Sequence, residues 1–345
     1  MPTAHLTASR RGRRLRAVVA TLTLAFAGSA LVATPAEARP FRAPRAVALG
    51  DSFASGEGLA PYRARTDTAT NQCHRSKRAY PELLSQGRRP VLKRVRSVAC
   101  SGAVTGALVA DLPDKDPAPP QLRALRRSTK TVTLTIGGND LRFSEVLASC
   151  VYLPDASAEQ QKLVPGRAGC RAQDPLVVAR TARLAGLADP AGQFPGTLTM
   201  AEALLLIRDQ APRARIYVTG YPRLFGLTGF HRAGCQVGTL GPTPLYVSTE
   251  DVHWLRSKVD GLNAAIRTGV AQAQLKGVRA TYVDVAAPFT THNVCGSGDQ
   301  WVNGIVFDPA NPTQISTATF HPAARGQRAY ADAVARAIRE RRPRT

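Results

Sequence analysis

The sequence lacks most of the devices that mark metal, repeat and membrane proteins. Its 345 residues contain six cysteines but no C-x-x-C pair, and its six histidines form no H-E-x-x-H stretch. The ligand spacings of a zinc site are therefore missing, and no metal or cofactor is expected. No heptad, collagen or longer internal repeat appears, which excludes fibrous and solenoid architectures. Beyond Val32 no run is long and apolar enough to span a bilayer. Aromatics are only 6% of residues and are not clustered with arginine, so the stacking surface of a single-strand binder is absent. Acidic residues are scarce too: 24 Asp+Glu stand against 46 Lys+Arg, for a net charge of +22, and seven of the 46 are lysine. This arginine excess reads first as a solvated basic surface. It also predicts transient contact with anionic lipid surfaces, while nucleic acid is not expected as a partner. At 44% hydrophobic residues the chain has enough apolar surface for a sizeable core.

What is present begins with the compartment. Arg10, Arg11, Arg13, Arg14 and Arg16 form a basic cluster, Ala17 to Val32 is apolar, and Ala36-Glu37-Ala38 places small residues where a signal peptidase reads. That is the layout of a secretory signal over residues 1–38, with an apolar run short for a membrane anchor. The expected location is secreted, or extracellular. Cys73, Cys100, Cys150, Cys170, Cys235 and Cys295 all follow that segment. An even number in an exported chain favours disulfides, and counting alone leaves their pairing open.

Five short strand candidates stop at or near glycine, cysteine or proline: the apolar or β-branched runs Val47–Leu49, Val132–Ile136, Arg215–Val218 and Ala280–Val285, and Lys93–Val98, which alternates loosely. Between and after them lie helical candidates at Tyr80–Gln86, Gln121–Arg126, Leu141–Ala148, Thr199–Asp209, Glu250–Leu275 and Pro322–Arg339. Strands alternating with helices predict an α/β fold with a mainly parallel sheet, whose ligands bind beyond the carboxyl ends of the strands. The stretch 151–196 is rich in Pro, Gly, Ala and Arg and reads as a loop-rich insertion. No linker divides the rest, so 39–345 is expected to be a single domain.

Three of the strand ends carry polar groups among glycines: Gly50-Asp51-Ser52-Phe53-Ala54-Ser55-Gly56-Glu57-Gly58, Cys100-Ser101-Gly102-Ala103 and Gly137-Gly138-Asn139-Asp140. A fourth element, Phe320-His321-Pro322, opens the last helix. Serine hydrolysis needs a hydroxyl, a base for its proton and donors for the oxyanion. Ser52, His321, and the groups around Gly102 and Asn139 would supply them. Taken singly, Ser52 could be a helix N-cap, Gly102 and Asn139 turn residues, and His321 a surface cap. His74, His231, His253 and His292 have no such context and read as structural or surface residues. The Gly-x-Ser-x-Gly elbow of ordinary α/β-hydrolases is absent.

The four blocks together resemble the SGNH, or GDSL, hydrolase superfamily, and most of all its secreted actinobacterial lipases and esterases. Ser52 lies in GDSFASGEG, Gly102 in ACSGA, Asn139 in IGGND and His321 in FHPAARGQ. Cys73-His74-Arg75-Ser76 matches a further stretch of those relatives. The resemblance covers about residues 46–340. It implies a three-layer α/β/α sandwich on a five-stranded parallel sheet. It implies Ser52 as nucleophile, His321 as general base, and an oxyanion hole from the Ser52 and Gly102 amides and the Asn139 side chain. It also implies the disulfides Cys73–Cys100, Cys150–Cys170 and Cys235–Cys295.

The function so read is a secreted carboxylic-ester hydrolase, a lipase or esterase acting on acyl esters and working as a monomer. Phospholipase and carbohydrate deacetylase activity remain open on the same site. From another class, a non-catalytic basic wall- or nucleic-acid-binding protein is the alternative. One departure stands out. Many relatives carry an acid three residues before the catalytic histidine, and here that position is Ala318, with no carboxylate between Asp308 and His321. The Ala318 backbone carbonyl is the expected orienter of His321, with Asp308 and then Asp284 as runners-up. An aspartate at 318 is expected to be tolerated.

Overall fold

Short runs of alanine, valine, leucine and threonine, buried on both faces, make the centre of the molecule. The computed structural model describes residues 45–340 apart from 117, 155–156, 158–168 and 188–191. The segment 1–38, read from sequence as a secretory signal, lies outside the described residues. In chain order the strands are β1 Ala46–Gly50, β2 Val95–Ser97, β3 Thr131–Thr135, β4 Arg215–Thr219, β5 Phe230–His231, β6 Gly234–Leu240, β7 Thr243–Val247, β8 Ala280–Val283, β9 Phe307–Asp308 and β10 Asn311–Ile315. Five of them form one sheet in the order β2-β1-β3-β4-β8, every neighbouring pair parallel. Parallel strands need crossovers, and their helices cover both faces, which is why β1, β3 and β4 are buried along nearly their whole length, whereas the edge strand β2 exposes Arg96.

The helices are α1 Ser52–Ser55, α2 Tyr80–Leu83, α3 Phe143–Cys150, α4 Asp174–Leu184, α5 Met200–Gln210, α6 Thr249–Leu275 and α7 Ala324–Glu340. They pack in two groups: α2 against α7, and α4 and α5 against α6. Thr199 caps α5 through a reciprocal box with Glu202, and Ser248 caps α6. Among the described residues no helix is long and apolar enough to cross a membrane.

Strand order positions the site. The chain leaves β1 to form β2 on one side and returns to place β3 on the other, so the carboxyl ends of β1 and β3 flank a topological switch point. Their loops close tightly. Gly50 sits at φ 137°, and a Cβ there would lie 2.2 Å from the Thr135 carbonyl oxygen, so only glycine lets β1 end against β3 in this way. The Gln121 side chain then clips both backbone groups of Gly50, accepting from its N–H at 2.7 Å and donating to its carbonyl at 2.8 Å.

The cysteines are joined as Cys73–Cys100, Cys150–Cys170 and Cys235–Cys295. Two features go beyond the sequence reading. The stretch 151–196, read as loop-rich, contains α4, an 11-residue helix started by Pro175, while 155–156, 158–168 and 188–191 lie outside the described residues. The segments 230–247 and 307–315 form antiparallel strands outside the main sheet, although their Gly- and Pro-broken sequences carry little alternation.

Candidate active site

Ser52 follows β1 and opens α1, a single turn capped by Asp51, whose carboxylate accepts from the Phe53 N–H at 3.0 Å. His321 reaches the same point from the loop before α7. Ser52 Oγ lies 2.8 Å from His321 Nε2, and Nδ1 lies 3.0 Å from the Thr319 carbonyl oxygen. A carbonyl can only accept, so Nδ1 carries the hydrogen and Nε2 of the neutral ring is free to accept from the serine hydroxyl. Burial lowers the His321 pKa, opposed by the charge of Glu57 and the Thr319 carbonyl. The ring is thereby kept in its basic, neutral form near neutral pH.

The orienting carbonyl belongs to Thr319 and not to Ala318. Phe320 adopts φ 57°, which folds the histidine back toward the residue two before it. The Ala318 carbonyl is engaged elsewhere, accepting from the His321 backbone N–H at 3.2 Å and from Asn303 Nδ2 at 3.0 Å. Neither acidic runner-up serves. Asp308 accepts from the Ala310 N–H and Asp284 from the Ala286 N–H, each at 2.8 Å in its own turn.

Gly102 and Asn139 line the same cavity as Ser52 and His321. Gly102 sits at φ 83°, a conformation that favours glycine. Asn139 Nδ2 donates to the Ala103 carbonyl at 2.9 Å, which fixes its amide and leaves its second N–H for another acceptor. Among the described residues the Ser52 and Gly102 amides meet no protein acceptor. Ser52, Gly102, Asn139 and His321 all line one cavity of about 370 Å³. Its deeper wall is apolar, built from Phe143 and Leu147 of α3, Leu245 of β7, Leu262 of α6, Phe307 of β9 and Leu224. The antiparallel strands that sequence reading missed thus supply part of the binding wall.

Further groups tie the loops together. Tyr221, at the end of β4, donates its hydroxyl to Asp51 and accepts from the Gly138 N–H at 3.0 Å, linking the Ser52 turn to the Asn139 loop. Asp140 accepts from the Thr105 hydroxyl at 2.6 Å and from its N–H, linking the Asn139 loop to the Gly102 loop. Burial raises the Asp51 pKa to about 7 and that of Asp140 to about 6. Gln327 on α7 accepts from the Tyr80 N–H and donates to the Phe53 carbonyl, at 2.7 and 3.0 Å, anchoring α7 to the nucleophile turn. Of the other histidines, His74 is buried against Glu57, while His231, His253 and His292 stand away from the cavity lining. Among the described residues no group of three or more His, Cys, Asp or Glu side chains could hold a metal ion.

The arrangement is equipped for acyl transfer, with a hydroxyl in contact with an oriented base, N–H donors lining the same cavity and an apolar wall. Comparison with known proteins agrees. The sequence profile of the GDSL-like Lipase/Acylhydrolase family matches residues 48–329. The chain is 30% identical to Lipase 1 of Streptomyces coelicolor over 319 residues, covering 91% of this chain and 95% of that one. It is 29% identical to a lipase of Streptomyces rimosus over 322 residues, 92% of this chain and 94% of that one. Among solved structures, phospholipase A1 of Streptomyces albidoflavus superposes with a TM-score of 0.59 at 29% identity, over 85% of this chain and 98% of that one. The extracellular lipase of Streptomyces rimosus does so with a TM-score of 0.57 at 26% identity, over 84% and 97%.

Proposed function

The chain belongs to the GDSL-like lipase/acylhydrolase family and is a serine ester hydrolase, and from that premise we propose that it cleaves long-chain acyl lipids through an acyl-enzyme on Ser52. Ser52 Oγ attacks the ester carbonyl carbon while His321 Nε2 takes the hydroxyl proton. The oxyanion accepts from the Ser52 and Gly102 N–H groups and from Asn139 Nδ2. As the carbon–oxygen bond breaks, His321 returns the proton to the leaving alcohol. Water then repeats the sequence on the acyl-enzyme and releases the fatty acid.

The observation that carries the substrate class is the apolar cavity opening beside Ser52. Each buried methylene contributes about 0.8 kcal/mol, so a wall of leucine and phenylalanine favours long chains and leaves an acetyl group little to hold. A carbohydrate deacetylase is accordingly the weaker reading. Phospholipids are included among the substrates because one structural neighbour is a phospholipase A1. The same reading makes the protein a secreted monomer: three disulfides suit an oxidising compartment.

The test is hydrolysis of nitrophenyl esters of graded length beside phosphatidylcholine, with wild type and Ser52→Ala. kcat/KM is expected to rise from acetyl to chains of about eight carbons or more, and Ser52→Ala to abolish turnover and fluorophosphonate labelling. A preference for acetyl esters would refute the lipid reading, and label on another serine would refute the nucleophile.

A further inference from the structure

Glu57 ends the Ser52 turn and is 2% exposed. A carboxylate so buried ordinarily takes up a proton. Here both its oxygens meet His74 Nδ1, at 2.9 and 2.8 Å. Ser101 Oγ donates to it at 2.5 Å, Thr317 Oγ1 at 2.6 Å and the Tyr62 hydroxyl at 3.2 Å. Burial pushes its pKa up, but the His74 hydrogen bond, the charge of His321 and the two smaller hydroxyls outweigh burial and bring it down to about 2. Glu57 is thus a fixed anion at working pH.

Its partners come from each side of the site. Ser101 precedes Gly102, and Thr317 lies four residues before His321. His74 and Ser101 each adjoin one half of the Cys73–Cys100 disulfide. Glu57 lines the same cavity as Ser52 and His321. Meanwhile Nδ1 of His321 rests on a neutral carbonyl, which stabilises an imidazolium about half as well as a charged acceptor. Away from bulk water a charge that does not touch the ring still acts on it strongly.

We propose that Glu57 is a positioning residue for His321, a buried anion that stabilises the imidazolium through space and braces its loop, in place of a triad carboxylate on Nδ1, which none of the described residues supplies. The proposal rests on the reading of Ser52 and His321 as nucleophile and base. The ionisable groups facing Glu57 are His74, Tyr62 and His321, with Asp67 beyond His74 at 3.5 Å. Those facing His321 are Glu57 and the Ser52 hydroxyl, beside the Thr319 and Thr317 backbone.

Glu57→Gln tests it, because the amide keeps the shape and loses the charge. The readouts are kcat on a short soluble nitrophenyl ester, corrected for active fraction by fluorophosphonate titration, and the acid limb of kcat/KM. A third readout is the titration of the assigned His321 ring by NMR in a Ser52→Ala background, which separates it from His74. The expected result is a kcat lower by on the order of 10- to 100-fold, with the acid limb and the ring midpoint both moved to lower pH. A purely structural role would lower the active fraction and leave both where they are, and that result overturns the proposal. Should Glu57→Gln not fold, Glu57→Asp decides. A folded aspartate variant with the wild-type limb and kcat within about ten-fold supports the charge, and a displaced limb or a larger loss overturns it. If neither variant folds, Glu57 is a structural residue and the proposal fails. His321→Ala runs alongside: if it retains wild-type kcat, the base assignment has failed, whatever Glu57 does.

Discussion

At the scale of single residues, the orientation of His321 is decided by which acceptor its Nδ1 meets. A carboxylate at that place would be worth on the order of 10⁴ in turnover if removed. Here the acceptor is the Thr319 carbonyl, and Asp308 and Asp284 each cap a local turn. Asp308→Asn and Asp284→Asn are therefore expected to keep kcat within about three-fold, well inside that loss. Steady-state assays of the two variants check this, and a large fall in either would restore a distant triad acid. Ala318→Asp, expected from sequence to be tolerated, meets a different environment. A Cβ on Gly58 would come within 2.9 Å of the Ala318 Cα and Cβ, so the space beside residue 318 is already taken by the Glu57–Gly58 backbone. An added carboxylate would also stand next to the buried Glu57, and like charges there repel. The expected outcome is a less stable enzyme with lower kcat, measured by thermal melting and turnover at neutral pH.

At the scale of elements, the site is a junction of loops held by buried carboxylates of opposite tendency. The folded pKa of Asp51, about 7, lies above its ordinary 3.8, and that of Asp140, about 6, does the same. Between pH 4 and 7 the folded chain therefore holds protons that the unfolded chain has released, and stability falls as pH rises through that window. Glu57 works the other way: its pKa of about 2 contributes stability above its ordinary 4.5, lost as pH falls toward 2. Asp51→Asn should flatten the decline between pH 4 and 7, and Glu57→Gln should soften the loss in acid, both read from melting temperature against pH. The Cys73–Cys100 bridge joins the residues beside His74 and Ser101. Replacing both cysteines by alanine is expected to cost about 2–5 kcal/mol and to lower kcat as well, because both groups bind Glu57. How much of this was legible follows from where the signal lies. Four sheet strands are largely apolar or β-branched runs, β2 alternates loosely, and all five could be found to within a few residues. Ser52, Gly102, Asn139 and His321 stood out because each sits in a short motif. Glu57 stood between two glycines in the first motif with nothing to say that its partners were 17, 44 and 260 residues away. The strands β5 to β7, β9 and β10 carried too little alternation to be read, and the carbonyl that orients His321 depends on a left-handed Phe320 that no side-chain pattern announces.

At the scale of the whole molecule, the proposed reading requires the enzyme to meet a substrate held in an interface. On that reading an acyl chain enters the apolar cavity only after leaving its neighbours, and that step gains from residence at the lipid surface. Net charge would supply the attraction: +22 over 345 residues, nearly all from arginine, and +18 without the expected secretory signal 1–38, which holds five Arg and one Glu. Each basic group near an anionic bilayer is worth about 1 kcal/mol, and the attraction falls off within a Debye length, from about 30 Å at 0.01 M salt to 3 Å at 1 M. Exposed Leu176, Val178 and Leu187, at 51%, 50% and 60% exposure, add apolar contact that salt does not screen. Two activities should therefore separate as salt rises. Sedimentation with vesicles containing anionic lipid is expected to show strong binding at low salt, lost by more than half at high salt, and neutral vesicles should bind weakly throughout. Hydrolysis of lipid in the anionic vesicles should fall in parallel, while hydrolysis of a short soluble ester stays flat, because the Ser52–His321 pair is part-buried and less screened than surface charge. If vesicle binding were indifferent to salt, apolar contact and not charge would be what holds the enzyme to its substrate.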